Sequence, residues 1–487
     1  MIAFAAAVFL PFLAGYLLAS LTFDRNVPGS RGEIALLKGF LAIGLALGGA
    51  SCIFFLWLTL VGAPGPHYIM METLAVGALA AGAAYRIKAS HQDVSAARAQ
   101  ASIPTSPVVV VLLVSFGIIL ITRLYRFVSI ALDLPQGGDD ALGIWNLRAR
   151  FLLTGGDQWR ESLSLLLAKS NTPDYPLLLP GTVARLWVYW GADSPFVPQA
   201  VAMLFTVAII GLGVSALALL RSHSQGLLAG LVLAGTPFLI SHGASQYADV
   251  PLAFYILATL VLFCLQDDSE AGHDRLLTLA GAMAGFAAWT KNEGALFLAA
   301  IVLARLAVVV PRHGWKEYLR QMGAFTAGLL PLLALVVYFK TRISPATTAI
   351  ISQGSQSILD KLRDLASYQE VGIALAAKII ELGHPGFVVP ALYLGFLGMS
   401  RKWTAKAGFT TALLVLMLML AGYAVVIIAT PFNSVRYQLA YSLDRLWIHL
   451  WPSVVLVFFL WVRTPEEAME AEQREGADTH GQTSVGE

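Results

Sequence analysis

The sequence predicts an all-α, polytopic transmembrane helical bundle of about thirteen spans, with amphipathic helices lying along its outward side. Three observations predict it. Of 487 residues, 57% are hydrophobic and only 13% charged, where soluble domains carry roughly 45–50% and 25%. The apolar residues come in runs of roughly 17–25, long enough to cross a bilayer. Between those runs, Lys and Arg collect in alternate short loops. Such a composition excludes a cytosolic enzyme, a secreted disulfide scaffold and a disordered chain. A net charge of +2 gives no electrostatic case for nucleic acid. Cys52 and Cys264 each sit inside an apolar run and read as small buried residues. There is no zinc-type Cys/His spacing and no glycine motif for a nucleotide.

In chain order, the expected spans lie near 2–22, 38–62, 67–85, 107–131, 196–220, 226–241, 248–265, 274–289, 294–310, 321–340, 386–399, 405–429 and 446–462. The first lacks a basic leader and a second follows closely, so it reads as a retained helix. Segment 176–190 is apolar but short and interrupted by Arg185. It reads as a juxtamembrane or re-entrant helix. With it uncrossed, four basic loops share one side: Arg25 and Arg31; Arg86, Lys88 and Arg98; Arg312, Lys316 and Arg320; Arg401, Lys402 and Lys406. That side is cytoplasmic by the positive-inside rule, which puts the N-terminus outside and the C-terminus inside. The expected organisation is a three-span extension (1–85), a cytoplasmic linker (86–106), a core (107–340) with an outward loop at 132–195, an outward amphipathic segment with the last spans (341–462), and an acidic disordered tail (463–487).

Charged groups at membrane depth are costly and are functional candidates by default. The expected outward face gathers five sets of them: Asp139 and Asp140 after two glycines; Gln246, Tyr247 and Asp249 opening a span; Lys291, Asn292 and Glu293 in a turn; Asn171, Asp174 and Tyr175; and Arg436, Tyr437, Tyr441, Arg445 and His449. A carboxylate here suits a general base toward a hydroxyl. Lys291 suits a phosphate as a point charge, and Arg445 suits one as a bidentate fork. Each set has a plainer reading. Asp139 and Asp140 fit a solvated turn, and Asp249 fits a helix N-cap. Lys291 and Glu293 fit a mutual ion pair. Arg445 and His449 fit interfacial side chains, Asp174 a simple turn, and Arg148 and Arg150 contacts to lipid headgroups.

The order of these elements resembles the GT-C superfamily of multi-span glycosyltransferases, with protein O-mannosyltransferases and lipid A aminoarabinose transferases as the nearest likenesses. The resemblance rests on Asp139-Asp140, NLRARFLLTGG (146–156), PDYPLLLP (173–180), YADVP (247–251) and WTKNEG (289–294), and covers about 107–340 and, more loosely, the chain to 462. It implies a polyprenyl-phosphate sugar as donor and extracytoplasmic catalytic loops on a cytoplasmic-membrane protein; separately, the absence of a large soluble outward domain in the sequence argues for a lipid or glycan acceptor over a folded protein. It implies a catalytic base at Asp140, whose Asp-Ala followed by Trp145-Asn146 fits the pattern, with Asp139 as the alternative. It implies a donor-phosphate contact at Lys291 and an acceptor-pocket role for Asp249. Arg445 follows from chemistry alone, and Tyr247, Glu293, Asp174 and Tyr175 complete the expected binding set. No metal is required, since polyprenyl phosphate already leaves well when cations hold it. Asp139, Asp140 and Asp249 nevertheless offer oxygens for a divalent ion. A transporter or flippase of a lipid-linked substrate is the competing class; the sequence shows no internal repeat in its support.

Overall fold

A computed structural model describes residues 2–23, 29–91, 106–167, 172–268, 274–345, 362–382, 393–395, 397–429 and 435–469. Among them the chain is almost wholly helical, with a single isolated β-bridge between Met399 and Val462. The helices are α1 (Ile2–Thr22), α2 (Arg31–Leu60), α3 (Pro66–His91), α4 (Pro107–Asp133), α5 (Asn146–Thr154), α6 (Leu178–Trp190), α7 (Phe196–Leu220), α8 (His223–Gly235), α9 (Pro237–Ala244), α10 (Asp249–Asp268), α11 (Asp274–Thr290), α12 (Glu293–Tyr338), α13 (Leu365–Leu382), α14 (Ala407–Ala429) and α15 (Val435–Trp461). Among the described residues, nine stretches are long and apolar enough to cross a membrane, and α8 with α9 forms a further bent pair. The protein is a multi-pass membrane protein with a polytopic helical fold.

The apolar runs account for most boundaries. Proline opens α3 and α4, where its missing N–H costs nothing and its φ is already helical. Ser30 caps α2 through a reciprocal box with Glu33, which starts that helix seven residues before its apolar run. The expected span at 226–241 is instead two helices bent by 58° at Thr236. Pro237 removes a backbone donor and pushes the preceding residue out of the helical region. The expected spans 294–310 and 321–340 are the two legs of α12, separated at Gly314, whose φ of +82° suits glycine alone. The expected span at 386–399 falls largely outside the described residues, as do most of the linker and the tail.

Helix α10 is the axis of the bundle: every residue from Asp249 to Gln266 is buried. It packs against α7, α11, α14 and α15. Close helix approach is made by small residues. A Cβ on Gly281 would fall 1.9 Å from the Phe325 carbonyl, and one on Gly328 1.8 Å from that of Thr278, so α11 and the second leg of α12 touch backbone to backbone. The first three helices pack onto this body, chiefly through α2 against α6 and α7. Arg185 of α6 pairs with Glu72 of α3 at 2.7 Å, both fully buried, and donates to the Ala7 carbonyl of α1. The charge that interrupts segment 176–190 is therefore an internal tie. At thirteen residues, α6 is too short to span.

Candidate active site

Asp249 opens α10 with its side chain completely buried. A lone buried carboxylate is strongly disfavoured, so its partners define the site. Oδ1 pairs with Lys291 Nζ at 2.8 Å and with His449 Nε2 at 2.7 Å. Oδ2 accepts from Arg445 Nη2 at 3.2 Å. This carboxylate is thus a three-way node, paired with two cations and hydrogen-bonded to an imidazole, and not the helix cap that its position suggests. His449 Nδ1 lies 3.1 Å from the Tyr423 hydroxyl, which extends the network onto α14. His449 is fully buried, so only Arg445 of that pair keeps any access to the surface.

Lys291 sits in the short turn between α11 and α12 and also pairs with Glu293 at 3.1 Å. Burial opposes its charge, yet the carboxylates of Asp249 and Glu293 raise its pKa above the ordinary lysine value. The ammonium lies 5.5 Å from the centre of the Tyr175 ring, which stacks on Trp145 at 5.5 Å and 17°. Burial holds the Tyr175 phenol above its usual range. The expected mutual pair of Lys291 and Glu293 is present, but it is one edge of a larger cluster.

Asp140 reaches this cluster through Arg445, whose Nη1 lies 2.6 Å from Asp140 Oδ2. The loop is held in place by its neighbours. Gly137 adopts φ +76°, and its N–H bonds back to Leu134. Gly138 donates to the Ser245 carbonyl at 3.1 Å. A Cβ on Gly138 would fall 2.3 Å from the Tyr247 hydroxyl, so glycine is what allows loop and tyrosine to meet. Asn146 donates to Gln246 Oε1 at 2.8 Å and to the Gln136 carbonyl at 3.0 Å. Gln246 holds a left-handed φ of 60°, a strained value for a side-chain-bearing residue. Tyr247 lies under the Arg445 guanidinium at 5.4 Å. Burial, then Asp140, raises its phenol above the usual value. Asp139 is exposed and takes no part in these pairs.

The fourth set joins from the side. Asp174 accepts from Asn292 Nδ2 at 2.5 Å and lies 3.6 Å from Lys340 Nζ, which also bonds Asn292 Oδ1 at 2.5 Å. Arg148 is buried and donates to the carbonyls of Tyr175 and Thr172. Burial lowers its pKa to about 10. Arg150 pairs with Asp193 at 3.2 Å. Both arginines therefore tie segments of the protein to one another. Arg436 pairs with Glu370 at an exposed position away from the cluster. Asn171, and the side chains of Tyr437 and Tyr441, lie outside the described residues.

Five separate chain segments thus bring Asp140, Tyr175, Asp174, Tyr247, Asp249, Lys291, Glu293, Arg445 and His449 into one linked group. Sequence reading missed the partner role of Lys340 and the clamp between Asn146 and Gln246. Lys340 lies in the short helical turn Phe339–Ile343 that follows the apolar second leg of α12, which is the one signal it offers. Among the described residues, no group of three or more His, Cys, Asp or Glu side chains is placed to hold a metal ion. Asp249 has both oxygens engaged by cations and His449, and Asp139 lies apart, so these aspartates do not form a ligand set here.

Residues 188–339 match the family described as dolichyl-phosphate-mannose-protein mannosyltransferase, just under a third of the chain. The matched stretch runs from the end of α6 to the end of α12. It contains Tyr247, Asp249, Lys291 and Glu293, but neither the Asp140 loop nor Arg445. Comparisons with curated proteins and with solved structures gave no match.

Proposed function

Starting from the GT-C glycosyltransferase family, which the matched segment supports, we propose that the protein transfers a sugar from a polyprenyl-phosphate donor to an acceptor hydroxyl on the extracytoplasmic side of the cytoplasmic membrane. The observation that carries this reading is the linked group itself. A partly accessible carboxylate, Asp140, stands next to one cation, Arg445, which Asp249 links to a second, Lys291, at the N-terminal end of a buried axial helix.

The chemistry follows from those residues. The acceptor oxygen forms a bond to the anomeric carbon while the bond from that carbon to the phosphate oxygen breaks, with inversion. The hydroxyl proton passes to Asp140 as general base. The electron pair of the breaking bond stays on the phosphate, which changes from a diester carrying one negative charge to a monoester carrying up to two. Lys291 and Arg445 stabilise that developing charge, an interaction stronger in the transition state than in the ground state. Asp249 holds the two cations in place, and His449 holds Asp249. Tyr175 and Tyr247 offer aromatic faces to the cations and phenols to the sugar. The exposed position of Asp139 supports Asp140 as the base. No step here uses a metal. The lack of a large soluble domain among the described residues supports a lipid or glycan acceptor over a folded protein.

Purified protein in nanodiscs, given a panel of polyprenyl-phosphate sugars and envelope glycolipid acceptors, tests the proposal through release of polyprenyl phosphate. Native protein is expected to turn over at least one donor. Asp140→Asn is expected to lose turnover by about 10²–10⁴-fold, the contribution of a positioned general base. Turnover by Asp140→Asn at the native rate would remove Asp140 from the mechanism.

A further inference from the structure

Arg445 bridges two carboxylates that differ in how firmly they are held. Its Nη2 meets Asp249, which is fully buried and also carries Lys291 and His449. Asp249 cannot leave without stranding buried cations. Its Nη1 meets Asp140, which is partly exposed and stands at the start of a short helical stretch, just after the Gly137-Gly138 turn. Arg445 Nε is buried without a hydrogen-bond partner. The remaining oxygen of Glu293, Oε2, is buried and unpartnered too. Within this group Asp140, Asp249 and Glu293 outnumber Lys291 and Arg445, so an anion arriving with every pair intact meets a net negative neighbourhood.

We infer that Asp140 and the donor phosphate compete for Arg445, so that phosphate binding releases Asp140 toward the acceptor. This inference rests on the function proposed above and adds an order to it. The phosphate takes the Nη1 arm, Asp249 keeps the Nη2 arm, and the Asp140 side chain swings away because it is the less buried partner. Donor binding then precedes productive acceptor binding. Arg445 acts on both partners in turn, neutralising Asp140 in the resting protein and the leaving group in the reaction. Exchange of one oxyanion for another at the same guanidinium conserves the fork geometry that arginine offers.

The competition makes a prediction opposite in sign to simple loss of a binding residue. Affinity for polyprenyl phosphate is measured in nanodiscs for native protein, Asp140→Asn, Asp139→Asn and Arg445→Gln. Asp140→Asn is expected to bind about three- to tenfold more tightly, since a partly exposed competing ion pair is removed. Asp139→Asn removes the same formal charge from the same loop without touching Arg445, and is expected to bind as the native protein does. Arg445→Gln is expected to bind more weakly. Equal or weaker binding by Asp140→Asn overturns the inference and leaves the proposed function standing. Equal tightening in Asp139→Asn also overturns it, since bulk charge would then be the cause. Absence of binding in every form, native included, overturns both the inference and the function on which it rests. The Asp140→Asn comparison stands even where Arg445→Gln fails to fold.

Discussion

Replacing Asp249 by Asn removes one charge and almost no volume, so its effect reads the electrostatics of the site directly. In the folded protein this carboxylate receives Lys291 and His449 on one oxygen and Arg445 on the other. An amide presents one acceptor oxygen and one NH₂ group, so on either orientation a donor faces a donor. Lys291 keeps only Glu293, and Arg445 keeps only Asp140, as a charged partner in the cluster. Breaking a buried pair by removing one partner costs about 3–5 kcal/mol. With an unfolding entropy of roughly 2 cal/mol/K per residue, that corresponds to a fall in Tm of at least about 3–5 °C for a chain of this length. The assay is built in. Cys52 and Cys264 are both free and buried, so a thiol-reactive fluorophore reports unfolding on heating in detergent. The double variant Asp249→Asn with Lys291→Met removes the stranded ammonium together with its partner, and is expected to recover part of the loss. A Tm for Asp249→Asn equal to that of native protein would refute the view that this carboxylate holds the cluster together.

Further expectations concern the scaffold around the site. Gly138→Ala places a Cβ against the Tyr247 hydroxyl, and Gly137→Ala adds a side chain at φ +76° within 2.7 Å of the Ser245 carbonyl; each is expected to cost about 1–3 kcal/mol and to lower turnover while the helical circular-dichroism signal stays native. Glu72→Gln leaves Arg185 buried without its counter-charge, and is expected to cost on the order of 3–5 kcal/mol and to raise hydrogen exchange in α1 and α3 before it does so in α10. Unchanged exchange in those helices would show that the tie is dispensable. Lys291 has a raised pKa, so its stabilising charge is fully present below its ordinary value of about 10.4 and is lost as pH rises through the higher folded value. The Tm gap between native protein and Lys291→Met is therefore expected to stay constant from about pH 6 to 9 and to narrow only in strong alkali; narrowing near neutrality would contradict the pairing.

Much of the fold was legible because it is written in runs. Where an apolar stretch is opened by a proline or closed by a polar residue, expected and observed spans nearly coincide, as at 107–131 against Pro107–Asp133 and at 196–220 against Phe196–Leu220. The bend at Thr236 was also in the text, as a Thr-Pro step inside an apolar run, but a smoothed hydropathy reading passes over it. The site was legible as residue types at one expected face, since charge in an apolar chain needs a reason. Its pairings were not. Which cation meets Asp249 depends on how α10, α15 and the turn after α11 pack, with 196 residues between Asp249 and Arg445. Local patterning carries no such information. The same holds for Glu72 and Arg185, which lie 113 residues apart and become a pair only when α3 packs against α6.

The central claim is that this cluster transfers a sugar and that Asp140 is its base. It is tested most directly by mass spectrometry of envelope glycans and glycolipids from three strains: native, deletion, and deletion carrying Asp140→Asn at matched expression. The account predicts that deletion and variant lack the same sugar, whose mass then names the donor class. A variant strain with the native glycan pattern would contradict it, and would move the search for the base to Asp139 or the function to another class.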